Sequence, residues 1–264
     1  MGFLSFLALF YFLSILLFPF NLFINIEKVF SQPIYNIRKL TDPHTVKPAN
    51  TYTIALVGDS MTEYLGNGEG LKNDLKVYYP DKTFNILNYG YGSTNVLSIM
   101  NRLQDMTNHN GTLTPSILSQ NFDLFLLESF GNNPLSTYST QEGLLKQTQA
   151  LDQIIKAVSE HKPQSEIVLM TTVAPNRDRY GEGAVNLTTT ERQKWADERI
   201  AYMKNHIMYA NSHHIPLINL YEKSLDKAAD YINSTDFIHP SSTGIGFINQ
   251  QIADYIFQNR LLPL

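Results

Sequence analysis

Cysteine is absent from the 264 residues of the chain. Its absence excludes disulfides, thiolate zinc sites and cysteine nucleophiles. An excess of basic charge is missing as well, since 20 Lys and Arg stand against 24 Asp and Glu and the formal net charge is −4. A general nucleic-acid binder would show a basic balance or a basic patch, so no nucleic-acid partner is expected. The chain is 43% hydrophobic, which is enough for one sizeable folded core.

Charge is also missing from the N-terminal segment, where no Asp, Glu, Lys or Arg precedes Glu27. Residues 3–25 form one apolar run, and about 20 apolar residues suffice to cross a bilayer core. The run lacks the basic start and the clear cleavage site of a signal peptide, and it is too long for a small domain to cover. We therefore predict a transmembrane helix over residues 1–30 that anchors the protein in a membrane. A cleaved signal segment and a buried helix are the alternatives.

The sequence leaves open on which side of the membrane the rest of the chain lies. Three basic residues follow the apolar run and none precedes it, which favours the cytoplasm. Three Asn-x-Thr sequons, at Asn110, Asn186 and Asn233, point to the other side. We expect an extracytoplasmic location, with the orientation undecided.

Residues 31–50 hold three prolines and no apolar period, which is typical of a linker, and residues 51–264 are predicted to form one domain. In that domain, short apolar runs alternate with longer stretches of helical spacing. The runs lie at 52–57, 84–87, 122–127, 167–171 and 216–220, and the helical stretches are clearest at 144–159, 191–210 and 245–257. This alternation predicts an α/β fold, a three-layer α/β/α sandwich around a five-stranded parallel sheet. In such sheets the chemistry sits on loops at the carboxyl ends of the strands.

A serine follows the first run directly, in Gly58-Asp59-Ser60, where a nucleophile would have to be. The alternative is an ordinary helix cap, a position that Asp and Ser both favour. A serine nucleophile needs a base, and of the seven histidines only His239 has a carboxylate at loop spacing, that of Asp236. This carboxylate could fix the imidazole tautomer and stabilise the imidazolium. The alternative is a turn that leads into an extended loop.

Acyl transfer also needs donors for the developing oxyanion. The second run ends in a glycine-rich turn, in which the N–H of Gly90 or Gly92 could face a substrate oxygen. The third run ends at Glu128. A carboxylate at the end of an apolar run is of the kind whose pKa is often shifted in functional sites. After it, the amide of Asn132 or Asn133 could add a donor, or the segment could be a simple Asn-Pro turn. No dinucleotide, phosphate-loop or metal-ligand spacing occurs, so neither a cofactor nor a metal is predicted.

Taken in chain order, the motifs Gly-Asp-Ser, Asn-x-Gly, Gly-x-Asn and Asp-x-x-His-Pro resemble those of the SGNH (GDSL-type) hydrolases over about residues 51–259. The resemblance implies the flavodoxin-like SGNH fold. It also implies that Ser60 is the nucleophile and an oxyanion donor, and that His239 with Asp236 is the base pair.

The same resemblance implies Gly92 as the second oxyanion donor, with Gly90 as the alternative, and Asn133 as the third. One departure from the family pattern bears on these assignments. The usual Gly-x-Asn-Asp reads Gly-Asn-Asn-Pro here, so Asn132 stands beside the expected amide and stays open as an alternative.

The expected function is a serine esterase that hydrolyses small acyl esters, of a lipid or an acylated carbohydrate, through a Ser-His-Asp triad and an oxyanion hole. An O-acyltransferase or a carbohydrate deacetylase would use the same machinery. A non-catalytic binding domain that keeps the fold is a further alternative. The expected partners are a small-molecule or glycan ester and, through the N-terminal helix, a membrane.

Overall fold

A computed structural model of the protein describes residues 50–263. The predicted anchor over residues 1–30 and nearly all of the linker lie outside this range, so both stay predictions. Within residues 50–263, no helix combines the length and the apolar character that a bilayer crossing requires.

Seven strands occur in the described residues, and five of them form the central sheet. In chain order the strands are β1 (Thr51–Gly58), β2 (Thr83–Gly90), β3 (Thr107–His109), β4 (Thr112–Thr114), β5 (Leu124–Glu128), β6 (Glu166–Met170) and β7 (Leu217–Ile218). The sheet has the spatial order β2-β1-β5-β6-β7, and every pair of neighbours is parallel. All five residues of β5 are buried, because helices cover both faces of a parallel sheet. The predicted five-stranded parallel sheet is confirmed, with one strand at each apolar run.

Helices flank the sheet on both sides. They are α1 (Ser60–Glu63), α2 (Glu69–Tyr78), α3 (Ile99–Gln104), α4 (Thr140–His161), α5 (Thr189–Ser212), α6 (Leu220–Ser224), α7 (Ala228–Tyr231) and α8 (Ser242–Gln258). Helix α2 packs against α8 and α4 packs against α5. The three predicted helical stretches are found as α4, α5 and α8, each a few residues longer at its ends.

The helices begin where their sequences supply caps. The side chain of Ser139 accepts a hydrogen bond at the start of α4, and Thr188 forms a reciprocal capping box with Glu191 at the start of α5. Helix α8 faces the sheet with Ile248, Ile252 and other residues of an apolar stripe that is fully or nearly fully buried. Burial of this stripe is the main contribution that holds the helix on the sheet.

A short antiparallel hairpin stands outside the main sheet. It consists of β3 and β4, joined through Asn110 and Gly111, which have φ of 51° and 81°. Positive φ at both central residues defines the tight turn that Asn-Gly favours. The sequence analysis did not predict this hairpin, which places His109 close to the end of β2.

Candidate active site

The first strand ends in a sharp turn that places Ser60 at the start of α1. A Cβ on Gly58 would lie 2.0 Å from Oγ1 of Thr62 and 2.8 Å from Cβ of Glu128, so only glycine fits at the end of β1. Asp59 follows as the helix cap, and its Oδ1 accepts a hydrogen bond from the backbone N–H of Met61 at 2.8 Å. The helix cap and the candidate nucleophile, which the sequence offered as alternatives, are therefore neighbouring residues of one turn, and Ser60 is half-buried.

Ser60, His239 and Asp236 form one hydrogen-bonded series. Nε2 of His239 lies 2.9 Å from Oγ of Ser60, and Nδ1 of His239 lies 2.7 Å from Oδ2 of Asp236. The other carboxylate oxygen of Asp236 accepts the backbone N–H groups of Ile238 and His239, at 2.8 and 3.0 Å. These bonds fold the Asp-x-x-His segment back on itself and aim the imidazole at the serine.

The carboxyl of Asp236 is held in its charged form. Partial burial alone would raise its pKa, but the hydrogen bonds from the His239 ring and from the two backbone N–H groups outweigh burial and lower the pKa below its ordinary value. The side chains of His239 and Asp236 are 23% and 20% exposed, so both are open to a substrate or to water. An ionised carboxylate at Nδ1 fixes the tautomer whose Nε2 can accept a proton from Ser60.

The ring of Tyr64 stacks on one face of the His239 imidazole. It lies 4.5 Å from the His239 ring, centroid to centroid, with only 7° between the planes. Sequence reasoning missed this contact, and the signal for it was weak. Tyr64 is four residues after Ser60. It is 45% exposed, so it belongs to no buried apolar pattern that the sequence could reveal.

The two adjacent asparagines after β5 have different partners. Nδ2 of Asn133 donates to Oδ2 of Asp59 at 2.9 Å, which brings this amide beside the residue that precedes Ser60. Oδ1 of Asn132 instead accepts from the hydroxyl of Tyr180 at 2.9 Å. Of the two amides, that of Asn133 is the one tied to the serine turn.

The two glycines after β2 also differ. A Cβ on Gly90 would lie 2.2 Å from the backbone nitrogen of Glu63, so Gly90 lets β2 and α1 approach closely. Gly92 lies against the serine, because a Cβ there would be 3.6 Å from Cβ of Ser60. The N–H of Gly92 donates to Oε2 of Glu63 at 2.8 Å. Gly92 is therefore beside the serine, with its N–H bound to a carboxylate.

The hairpin holds Glu63 in place. Oε1 of Glu63 lies 2.9 Å from Nε2 of His109 and accepts the amide of Asn110 at 3.3 Å. The ring of His109 stacks on Tyr91 at 4.2 Å. Next to this cluster is an open cavity of about 310 Å³, whose lining includes the polar residues Glu63, Asn88, His109, Asn110, Thr112 and Thr114.

Arg102 ties together the backbone on which these residues stand. Its guanidinium is 2% exposed and donates to the carbonyl oxygens of Gly58 and Tyr89, at 2.8 and 2.9 Å, and to the hydroxyl of Ser98. A further bond goes to the hydroxyl of Thr94. Burial lowers the pKa of Arg102 to about 10, so it stays charged at neutral pH. This side chain joins the ends of β1 and β2 to the turn that carries Gly92.

No protein-family profile and no curated protein matches the chain by sequence. Solved structures match it by shape. A lipase/acylhydrolase from Enterococcus faecalis is 18% identical with a TM-score of 0.56, and the match covers 79% of this chain and 96% of that one. A catalytic mutant of an acetylxylan esterase from Geobacillus stearothermophilus is 16% identical with a TM-score of 0.54, covering 78% and 94%.

A third match, a gut microbial diltiazem-metabolizing enzyme, is 14% identical with a TM-score of 0.58. It covers 80% of this chain and 48% of the other, so the chain spans about half the length of that enzyme. At such identities the similarity shows the fold alone, which the chain shares with these acylhydrolase and esterase structures. This fold is consistent with the one that the motif resemblance implied.

Proposed function

We propose that the protein is a serine esterase that hydrolyses small acyl esters. The observation that carries the proposal is the hydrogen-bonded series from Ser60 Oγ through His239 to Asp236, with distances of 2.9 and 2.7 Å. A serine, a neutral imidazole and an ionised carboxylate in this order are the parts that nucleophilic acyl transfer requires. The fold shared with acylhydrolases and acetylxylan esterases adds support.

The mechanism follows from these contacts. Nε2 of His239 takes the proton of Ser60 while Oγ bonds to the ester carbonyl carbon, and Asp236 stabilises the imidazolium that forms. The imidazolium then protonates the leaving alkoxide, and the ester C–O bond breaks to leave an acyl-serine. Water attacks this acyl group with His239 as the base, which releases the acid and restores Ser60.

The developing oxyanion is assigned to the N–H groups of Ser60 and Gly92 and to the amide of Asn133. The position of Gly92 against Ser60 and the link from Asn133 to Asp59 support this assignment. Because the Glu63 carboxylate accepts the N–H of Gly92, a substrate oxygen must replace that carboxylate as the acceptor.

An acetylated carbohydrate is the substrate class that the polar side chains of the cavity beside Glu63 favour. A carboxylate, an imidazole, amides and hydroxyls in its lining offer hydrogen bonds to sugar hydroxyls. The acetylxylan esterase of the same fold acts on a substrate of this kind. Deacetylation of a carbohydrate, or transfer of the acyl group to a sugar hydroxyl, uses the same acyl-serine.

The test is Ser60→Ala, measured on p-nitrophenyl esters of increasing acyl length and on an acetylated xylo-oligosaccharide. We expect activity to fall by about 10³-fold or more while the melting temperature is retained. A fluorophosphonate probe should label the wild-type protein and not the variant. Absence of labelling and of ester turnover in the wild type would leave a non-catalytic binding domain as the better interpretation. Addition of a sugar acceptor separates a hydrolase from an acyltransferase by the product formed.

A further inference from the structure

Two carboxyl groups are buried side by side behind the serine turn. Asp59 is 0% exposed and Glu128 is 1% exposed. Oε2 of Glu128 accepts the backbone N–H of Asp59 at 3.2 Å, and a side-chain hydrogen bond also joins the two carboxyls. The mechanism proposed above uses neither group as acid, base or nucleophile.

Two buried carboxylates in contact cannot both be charged unless cations neutralise them. The charge of buried Arg102 acts on both carboxyls from a distance, but its donated hydrogen bonds go to carbonyl and hydroxyl oxygens and not to either carboxyl. The ring of His239 is hydrogen-bonded to Ser60 and Asp236 and not to Asp59. One proton must therefore be shared within the pair.

Hydrogen bonds and burial together decide which carboxyl keeps that proton. Asp59 receives the N–H of Met61 at 2.8 Å and the amide of Asn133 at 2.9 Å, and both bonds favour its charged form. Glu128 also accepts two bonds, from the N–H of Asp59 at a longer 3.2 Å and from the hydroxyl of Ser129 at 2.9 Å, but burial outweighs them. Burial raises the pKa of Glu128 well above its ordinary value, and the Asp59 carboxylate raises it further. The pKa of Asp59 is also raised by burial, but its hydrogen bonds oppose this effect. The charge belongs to Asp59 and the proton to Glu128.

We infer that Glu128 is a positioning residue that stays protonated, donates to Asp59, and through Asp59 sets the orientation of the Asn133 amide. One N–H of that amide is bound to Oδ2 of Asp59. This bond fixes which end of the amide is nitrogen and leaves its second N–H free for a substrate oxygen. The inference rests on the proposed function, in which Asn133 is an oxyanion donor.

The buried surroundings hold Glu128 itself in place. Oε1 of Glu128 accepts the hydroxyl of Ser129 at 2.9 Å. The carbonyl of Ser129 accepts the amide of Gln147 from α4, and Gln147 in turn accepts the amide of Asn205 from α5. A network with every member bonded to the next holds a side chain in one geometry. Glu128 is therefore held by both α4 and α5.

Three variants test the inference, with kcat and KM measured on one soluble ester at pH 7. Glu128→Gln keeps a neutral donor of the same shape, so we expect kcat within about threefold of the wild type. Glu128→Ala removes the donor to Asp59, and kcat should fall about tenfold to a hundredfold with little change in KM, a part of what loss of an oxyanion donor costs. Asp59→Asn places an amide nitrogen or a weaker acceptor oxygen against Asn133. Its kcat should therefore fall at least as far as that of Glu128→Ala.

The opposite pattern overturns the inference. If Glu128→Gln loses as much as Glu128→Ala while Asp59→Asn is harmless, then the charge sits on Glu128. Infrared difference spectra of wild type minus Glu128→Gln at pH 7 give a readout that is independent of catalysis. They should contain a protonated-carboxyl C=O band, whereas loss of carboxylate bands alone would contradict the inference. If the wild type shows no Ser60-dependent turnover, the proposed function fails while the spectra still decide where the proton lies.

Discussion

At the scale of single residues, adjacent residues can have different functions because their side chains bind different partners. The Gly-Asn-Asn-Pro segment could not show from sequence which amide serves the site, because adjacent side chains in a loop point in unrelated directions. In the structure Asn133 is bound to Asp59 and Asn132 to Tyr180. Ser60, His239 and Asp236 were candidates from spacing alone, whereas Tyr64 and Glu63 depend on long-range packing that no spacing reveals.

Asn133→Ala should lower kcat by about 10² to 10³-fold with little change in KM, because it removes the oxyanion donor that we propose at this position. Asn132→Ala is the matched control, since it removes the same group one residue away and breaks only the bond to Tyr180. We expect its kcat to stay within a few-fold of the wild type. Steady-state kinetics of both variants on one ester test this prediction. A large loss of kcat in Asn132→Ala alone would mean that Asn132, and not Asn133, is the donor.

Asp236→Asn should lower kcat/KM by about 10³ to 10⁴-fold without unfolding the domain. The amide lacks the charge that stabilises the imidazolium, and it can turn a nitrogen toward Nδ1 of His239, which favours the wrong tautomer. Asp226→Asn is a suitable control because Asp226 is exposed. Kinetics and melting temperatures of both variants provide the test. Retention of most activity in Asp236→Asn would show that Asp236 only shapes the turn.

At the scale of secondary structure, the buried elements could be predicted and the exposed ones could not. Strand β5 is buried throughout and α4 runs over 22 residues, so both leave long apolar signals in the sequence. The strands β3 and β4 have three residues each and none is buried, which leaves no alternation to detect. Their one signal was Asn110-Gly111, a favourable hairpin turn. Helix α2 was missed because only Leu71 and Leu75 of its ten residues are buried.

The missed hairpin matters because it holds Glu63 on the N–H of Gly92. Glu63→Gln keeps an oxygen that can accept this N–H but removes a negative charge beside the developing oxyanion. If Gly92 is a donor, we expect kcat/KM to rise by about threefold to tenfold. Glu69→Gln on α2 is the control, because Glu69 pairs only with Lys72 at the surface. A fall in kcat/KM for Glu63→Gln would argue that Glu63 supports the turn and that Gly92 is not a donor.

At the scale of the whole molecule, the sheet topology brings the site together and buried polar groups fix it. The ends of β1, β2 and β5 are neighbours in the sheet, so the loops after them meet at one edge. This much follows from predicting a parallel sheet. The hydrogen bonds beneath this edge could not be predicted in the same way. Arg102, Glu128 and Gln147 are buried, although polar residues of these types are usually exposed. Their hydrogen bonds link the serine turn to α3 and α4.

This buried carboxyl pair gives the stability of the fold a characteristic pH dependence. Because the pKa of Glu128 is raised in the folded state, the folded protein retains a proton that the unfolded chain releases above about pH 4.3. The stabilisation is fully present below that pH and is lost as pH rises toward the folded pKa. Glutamine at position 128 binds no proton in either state. The melting temperature of Glu128→Gln relative to the wild type should therefore increase steadily from pH 5 to pH 8 in thermal unfolding measurements. Glu69→Gln, at an exposed position, should show no such trend. A constant difference between Glu128→Gln and the wild type would mean that Glu128 is ionised in the folded protein across this range.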